Sequence, residues 1–433
     1  MSALPLLAGA ALDAPIAWRR GRWIARAEYL AHAEALAQIL PAGQYGLNLC
    51  EDRYYFMVAL AALLLAGRTN LLPPSAAPRT IAEIETEYGA FRLADEDVSA
   101  VVPRSKHADF VPELPAAQEA AVLFTSGSTG RPVAQAKTWG ELVGATAMAL
   151  RRFDLGTARH DIVATVPSQH SYGFESSVLY ALQSPAVVHA GQPLFPADVC
   201  AALAEMRAPR ILVTTPLHLE VCLRSDLDWP PLAFTLSATA PLGRELAACA
   251  EHIFAAPLRE IYGSSETGAI ASRRTATESA WQPYDGVRLI RSGGEFRVQA
   301  SHLPEARVLA DDLALAEDGR FEWRGRKADQ IKVAGKRSTL AELNGRLLAI
   351  VGVEDGGFVV PDAEGGRLAA VVVAPTLTAK QIRARLAETL DPVFLPRPLV
   401  KVVALKRTAT GKLTRQELLA HLAAAAEKRS VGS

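Results

Sequence analysis

Ala120-Ala121-Val122-Leu123-Phe124-Thr125-Ser126-Gly127-Ser128-Thr129-Gly130-Arg131-Pro132 runs from an apolar stretch straight into a turn of hydroxyls and glycines. The apolar part, Ala120 to Thr125, reads as a short buried strand, and strands ending in such turns are where α/β sheets bind ligands. Hydroxyls at Thr125, Ser126, Ser128 and Thr129, with Gly127 and Gly130 between them, let backbone N–H groups and side chains close around phosphate oxygens. The stretch is not a P-loop, whose pattern needs wider glycine spacing and a following Lys. Taken alone, a Ser/Thr/Gly turn is more often just a loop.

The same strand-then-turn pattern recurs at Asp161 to Val166, Arg210 to Thr214 and Ala233 to Ser237. Helical periodicity is clearest in Tyr54 to Ala66, Glu141 to Phe153, Pro196 to Met206 and Gly243 to Phe254. This alternation predicts an α/β fold. Towards the C-terminus the pattern changes. Arg320 to Trp323, Gln330 to Val333, Ala369 to Val373 and Leu399 to Ala404 read as strands, and Ala341 to Ala349 and Thr378 to Leu390 as helices. We therefore expect a large N-terminal domain of layered sheets and helices, 1–327, and a small mobile α+β domain, 328–433. They meet at the Gly- and charge-rich link Gly325 to Asp329.

The 433 residues carry 46 Lys and Arg against 46 Asp and Glu, a net charge of zero. That argues against holding nucleic acid or an anionic membrane by bulk electrostatics, so any anion must be met by a local site. The four cysteines, Cys50, Cys200, Cys222 and Cys249, show no CxxC spacing, which supports neither a disulfide framework nor a zinc ribbon and suggests reduced, mostly buried thiols. The longest apolar run, Phe56 to Ala66, is far short of the roughly 18 to 20 residues that span a bilayer. The apolar stretch Leu4 to Leu12 has no basic residue before it, which argues against a signal peptide. A soluble cytoplasmic protein is expected.

Two further motifs bear on chemistry. Tyr262-Gly263-Ser264-Ser265-Glu266-Thr267-Gly268 sets hydroxyls beside a carboxylate, a donor set suited to a phosphate oxygen and to a Mg²⁺ that bridges phosphates. By itself it also suits a capped helix start, and it contains no GxSxG nucleophile elbow. Arg407-Thr408-Ala409-Thr410-Gly411-Lys412-Leu413-Thr414-Arg415 places a Lys after Gly in a Thr-rich turn. It is not a Walker A sequence, because Leu413 stands where Ser or Thr is required.

In this order the three motifs resemble the adenylate-forming superfamily, which includes acyl- and aryl-CoA synthetases and the adenylation domains of peptide synthetases. The resemblance extends over nearly the whole chain. Ser237-Ala238-Thr239-Ala240-Pro241-Leu242 resembles the family's adenine-site segment, and Pro167-Ser168-Gln169-His170-Ser171-Tyr172-Gly173 its substrate gate. Gly294 to Val298, Asp312, and Gly325 to Lys332 with Gly335 resemble the segments leading into and forming the interdomain link. The resemblance implies that Thr125, Ser126, Gly127, Ser128, Thr129 and Gly130 surround the β- and γ-phosphates of ATP. Ser237, Ala238 and Thr239, with Tyr262, Gly263 and Ser264, complete the nucleotide site. Ser265 touches the α-phosphate and Glu266 ligates Mg²⁺. Asp312 holds the ribose with Arg326 nearby, its neighbour Asp311 being the alternative. Lys412 reaches the α-phosphate and the carboxylate. His170 flanks the acyl carboxylate, and Tyr172, Gly173, Phe174 and Ala238 face the acid.

Three positions depart from the family's pattern. Val133 stands where the phosphate loop usually carries Lys, with Lys137 as a substitute further on; Ala328 occupies the hinge position that is usually Asp or Lys; Ser265 replaces Thr. The implied reaction is ATP-dependent adenylation of a carboxylic acid followed by acyl transfer to a phosphopantetheine thiol. Asp52-Arg53 through Gly67, with Leu71-Leu72-Pro73-Pro74-Ser75, further resembles the compact 3-hydroxybenzoate:acyl-carrier-protein ligases of xanthomonadin and aryl-polyene pigment pathways. A hydroxybenzoate-type acid and an acyl carrier protein are thus the expected partners. The alternatives are an aryl- or medium-chain acyl-CoA ligase, and a non-catalytic ATP-binding interaction protein.

Overall fold

A computed structural model of the chain describes residues 2–103, 105, 107–126, 132–293, 295–326, 330–333, 336–361, 367–408, 411 and 413–430, the side chains of 125, 126, 132, 326, 330, 332, 333, 337 and 428–430 excepted. The chain forms two compact units, 1–290 with 298–307, and 291–297 with 308–433.

The larger unit contains two large sheets and the short antiparallel pair Ala3–Pro5/Glu113–Pro115. In the five-stranded sheet the order is Phe91–Leu93, Tyr45–Asn48, Thr69–Leu72, Glu119–Ser126, Pro132–Thr138. The first four run parallel and the last returns antiparallel to its neighbour. The nine-stranded sheet has at its centre six adjacent parallel strands: Leu258–Ser264, Phe234–Ser237, Arg210–Thr214, Asp161–Ala164, Val187–His189 and Pro15–Arg19. Strands Asp161–Ala164 and Phe234–Ser237 are buried at every position, as expected where helices cover a parallel sheet. Around Val163 and Leu212, the helices Pro196–Glu205, Pro216–Leu223 and Arg244–Phe254 contribute Val199, Leu203, Leu219, Ala247 and Phe254 to one core.

Helix Arg53–Leu65 is buried from Arg53 to Leu64 on every side, consistent with its lack of a polar face. Asp52 caps it, accepting from the N–H groups of Tyr54 and Tyr55 at 3.0 and 3.2 Å, and is itself paired with Arg19 at 2.7 Å. Although the helix follows a strand of the five-stranded sheet, its first side chain serves the other sheet. The Arg53 guanidinium, 1% exposed, donates to Ala164 O (3.1 Å), Val166 O (3.0 Å), Ser168 Oγ (2.9 Å) and Ser177 Oγ (2.8 Å). Burial pulls its pKa down to about 10. The strand expected over 161–166 stops at Ala164, where Arg53 begins to take the carbonyls.

The smaller unit holds the hairpin Asp311–Leu315/Phe321–Arg326, the hairpin Gln330–Val333/Lys336–Thr339, and a three-stranded sheet ordered Asp355–Val359, Ala369–Val373, Leu399–Val402. Leu343 and Leu347 of helix Leu340–Leu348 and Ile382 and Leu386 of helix Ala379–Thr389 pack with Phe358 and Val372. Leu418 of helix Arg415–Ser430 packs with Val359 and Val371 in a separate core. The 311–326 hairpin packs within this unit: Gly325, at φ +118°, lies against Thr339, where a Cβ would come within 3.2 Å of Thr339 Cγ2.

Of the four free thiols, Cys50 and Cys222 are buried, Cys200 is partly so and Cys249 is exposed. Among the described residues no helix is long and apolar enough to cross a membrane. Because one cation satisfies two carbonyls and two hydroxyls, Arg53→Ala should lower the unfolding free energy by roughly 3 kcal/mol or more, read as a fall in the urea midpoint.

Candidate active site

Three of the motifs singled out by sequence stand at one edge of the nine-stranded sheet. Strand Asp161–Ala164 leads towards the gate 167–173, Phe234–Ser237 into the 238–242 segment, and Leu258–Ser264 into Ser265-Glu266-Thr267. All three strands are parallel and lie within four neighbouring positions, so these turns share the carboxyl edge where α/β sheets bind ligands. The fourth strand, Arg210–Thr214, adds Thr214, whose hydroxyl lies 3.0 Å from Thr165 Oγ1, which in turn lies 3.1 Å from His218 Nδ1. Burial lowers the pKa of His218.

Ser265 to Thr267 form the tip of a hairpin between Leu258–Ser264 and Gly268–Arg273, not the start of a helix. The tip is knotted by Ser264 and Thr267. Ser264 N–H donates to Thr267 Oγ1 at 3.2 Å, Thr267 N–H to Ser264 Oγ at 3.3 Å, and Thr267 Oγ1 to Gly268 O at 2.9 Å. Gly263 is required by close approach, since a Cβ there would stand 2.3 Å from Gly268 O, and Gly268 sits at φ +68°. Neither the Ser265 hydroxyl nor the Glu266 carboxylate is committed to a protein partner among the described residues, and both are partly exposed.

The 238–242 segment is held from below by Glu260, which accepts from Leu242 N–H at 3.1 Å, Thr275 Oγ1 at 2.7 Å and Arg273 Nε at 2.8 Å. Ser237 Oγ is buried without a partner among the described residues. Thr239 has φ +81°, a strained conformation for a β-branched residue of the kind that clusters at ligand sites. Both observations fit a nucleotide base or sugar being met here.

In the gate, His170 precedes the short helix Ser171–Gly173, and burial lowers its pKa, keeping the imidazole neutral near pH 7. Gly173 is required because a Cβ would fall 2.1 Å from Pro167 O. Tyr172 is partly buried, whereas Phe174 is fully buried against Phe56, ring centroids 6.2 Å apart, and Trp139 is fully buried as well. Phe174 is therefore a core residue behind the gate. The helix then widens into a π turn, Phe174–Leu179, a feature that occurs frequently at functional sites.

The phosphate loop 127–131 lies outside the described residues, and the structure engages Lys137 at the Glu266 turn. This lysine is 7% exposed, and its ammonium donates to Glu266 O at 2.6 Å, joining the strand that leaves the phosphate loop to the Glu266 turn. Below that turn lies a small cavity lined by Lys137, Glu141, Glu175, Ser265, Thr267 and His302, among others. Burial pushes the Glu175 carboxyl up to about 7, while Ala269 N–H donates to it at 3.0 Å. Glu175, His218 and His302 were not found by motif, and Lys137 was singled out only as a substitute for the phosphate-loop lysine. A lone carboxylate inside the apolar run Gly173 to Leu182 was the available signal for Glu175, because an uncompensated buried charge is costly.

In the smaller unit, Asp311 pairs across the hairpin with Arg326, and Asp312 with Gly325. The turn leading to Lys412 is pinned by Arg407, which donates to Asp355 Oδ2 at 3.0 Å and to Gly411 O at 2.7 Å. Gly127, Ser128, Thr129, Gly130, Ala328 and Lys412 lie outside the described residues, as do the side chains of Thr125, Ser126 and Arg326.

Mg²⁺ suits the donors that are described. It dehydrates reluctantly and is commonly held by one or two carboxylates together with substrate phosphates, and Glu266 offers one uncommitted carboxylate beside hydroxyls. Among the described residues no group of three or more acidic, His or Cys side chains forms a metal cage.

The chain belongs to the AMP-binding enzyme family, which matches residues 44–298. Among its relatives, the 4-coumarate–CoA ligase of Cereibacter sphaeroides is 29% identical over 257 residues, covering 58% of this chain and 59% of that protein. The 4-coumarate–CoA ligase of Rhodobacter capsulatus is 30% identical over 300 residues, covering 67% and 74%. The fold is shared with the Bacillus subtilis o-succinylbenzoate coenzyme A synthetase solved in complex with ATP and magnesium ion, at TM-score 0.77 and 18% identity over 92% of this chain and 95% of that one. The chain thus spans less than two thirds of the Cereibacter ligase's length.

The Glu175 carboxyl gives a stability signature. Its pKa is raised on folding from the ordinary 4.5 to about 7, so its contribution is fully present below pH 4.5 and lost as pH rises through 7. Glu175→Gln, which keeps an acceptor for Ala269, should gain stability over wild type by on the order of 2 to 3 kcal/mol between pH 4.5 and pH 8, measured by urea unfolding at both ends.

Proposed function

We propose that the protein is an ATP-dependent carboxylic acid ligase that forms an acyl-adenylate and passes the acyl group to a phosphopantetheine thiol. Its favoured acid is a hydroxybenzoate-type aryl acid and its acceptor an acyl carrier protein, as in pigment assembly. The observation that carries the reading is the hairpin tip of a family member in which the Ser265 hydroxyl and Glu266 carboxylate stand uncommitted at the carboxyl edge of the parallel sheet.

In this reading Ser237, Ala238 and Thr239 take the adenine with Tyr262 to Ser264, Asp312 takes the ribose hydroxyls with Arg326 beside it, and Thr125 to Gly130 surround the β- and γ-phosphates. Glu266 holds Mg²⁺, which when bound offsets the charge on the phosphate oxygens. Neutral His170 donates a hydrogen bond to the acid's carboxylate without neutralising its negative charge. A carboxylate oxygen attacks the α-phosphorus, the bond to the bridging oxygen breaks and pyrophosphate leaves; the thiol sulfur then attacks the acyl carbon and AMP leaves. No protein nucleophile takes part, so the residues act by positioning and by charge stabilisation. Lys412, carried by the C-terminal unit, addresses the α-phosphate in the first step. The 327/328 boundary is the proposed hinge for the second.

Coenzyme A is the alternative acceptor, favoured by relatives named as CoA ligases. Two measurements test these assignments. Lys412→Ala should lower acid-dependent ATP–pyrophosphate exchange by on the order of 100- to 1000-fold, and unchanged exchange would remove Lys412 from the reaction. Exchange should be highest with hydroxybenzoates in a screen that also holds aminobenzoates, cinnamates and short fatty acids, and AMP release should respond to a holo-carrier protein more than to coenzyme A. The reverse preference selects the CoA ligase, and silence across the whole acid panel would leave an ATP-binding interaction protein.

A further inference from the structure

The turn that carries Glu266 is held from beneath by three side chains from three separate parts of the chain. Lys137, on strand Pro132–Thr138, donates to Glu266 O at 2.6 Å. His302 Nε2 lies 2.8 Å from Thr267 O, and since a carbonyl only accepts, Nε2 carries the proton. Glu175, in the π turn after the gate, accepts from Ala269 N–H at 3.0 Å. Main-chain groups at 266, 267 and 269 are thereby met by side chains at the point where the strand pairing is already irregular, at Tyr262/Gly263.

Local sequence choices accommodate this arrangement. Gly144 interrupts the interior of helix Trp139–Phe153, where glycine weakens a helix, and a Cβ there would stand 2.8 Å from His302 Cβ. The glycine makes room for His302 to reach the turn. Lys137 is an ammonium kept 7% exposed; burial lowers its pKa, Glu141, Glu175 and Glu266 oppose that shift, and Arg307 adds to it. A lysine required only for packing would be served as well by methionine.

We infer that Lys137, His302 and Glu175 are positioning residues for Glu266, fixing the main chain of the hairpin tip so that the carboxylate stands where Mg²⁺ and the triphosphate need it. The inference rests on the reading of Glu266 as the metal ligand. Outer groups that orient a ligand in this way typically matter 10- to 100-fold for metal affinity. Two of them also tie the tip to the rest of the site: Lys137 to the strand leaving the phosphate loop, Glu175 to the helix leaving the gate.

The test is equilibrium binding to the full chain by calorimetry, with Mg²⁺·ATP and, separately, with AMP in the absence of metal, for Lys137→Met, His302→Phe and Glu266→Gln. Lys137→Met and His302→Phe should each weaken Mg²⁺·ATP by roughly 10- to 100-fold while AMP binds as in wild type, and the KM for ATP should rise without a change in the KM for the acid. Equal losses for Mg²⁺·ATP and AMP would mean a collapsed site and overturn the positioning role, as would wild-type Mg²⁺·ATP affinity in a folded Lys137→Met. Should that variant not fold, His302→Phe decides in the same way. Weakened Mg²⁺·ATP binding in Glu266→Gln with both other variants unaffected refutes the inference alone; unchanged binding in Glu266→Gln refutes the metal assignment beneath it.

Discussion

A single buried guanidinium, that of Arg53, joins the two large sheets of the larger unit. It enters on the helix that crosses over the five-stranded sheet and spends its hydrogen bonds at the end of a strand of the other. Among the described residues no carboxylate hydrogen-bonds to it, so neutral oxygens compensate the charge, and removing either side leaves polar groups stranded in the interior. The gate begins where it does because Arg53 draws Ala164 and Val166 carbonyls and the Ser168 hydroxyl to itself. Asp52, one residue earlier, caps the same helix and pairs with Arg19, so the entry angle of the helix and the position of the gate are set together.

Lys137 makes another link between the sheets, this time at the hairpin tip. The two cations have opposite surroundings. Arg53 is met by neutral acceptors, whereas Lys137 lies among the carboxylates of Glu141, Glu175 and Glu266. The zero net charge of the chain is thus compatible with binding a polyanion, because the fold can place individual charged groups locally, as it does with Arg53 and Lys137.

Much of the fold was legible. Arg210–Thr214 and Ala369–Val373 were readable residue for residue because they are short apolar runs between polar breaks, and helix Pro196–Glu205 because proline opens it. The hairpin tip was not: Ser and Thr beside an acidic residue suit a helix cap as well as a turn, and only pairing with Gly268–Arg273, which lies in tertiary structure, decides between them. Nor was the hairpin Pro15–Arg19/Arg22–Ala25, which completes one side of the nine-stranded sheet, visible as part of that sheet. Of the candidate site, the motif residues could be singled out because they fall in contiguous runs of the sequence. Lys137, Glu175 and His302 are scattered over more than 160 residues and meet only through the fold.

The π turn has a geometric consequence for the substrate side. Adding one residue to a helical turn shifts the phase of everything beyond it by about 100°, the rotation of one α-helical residue. Ser176 to Leu182 are buried throughout, while His170, Ser171, Tyr172 and Glu175, on the preceding turns, stay partly open. The run behaves as two helices joined out of register, and the gate can be aimed without disturbing the core that follows it.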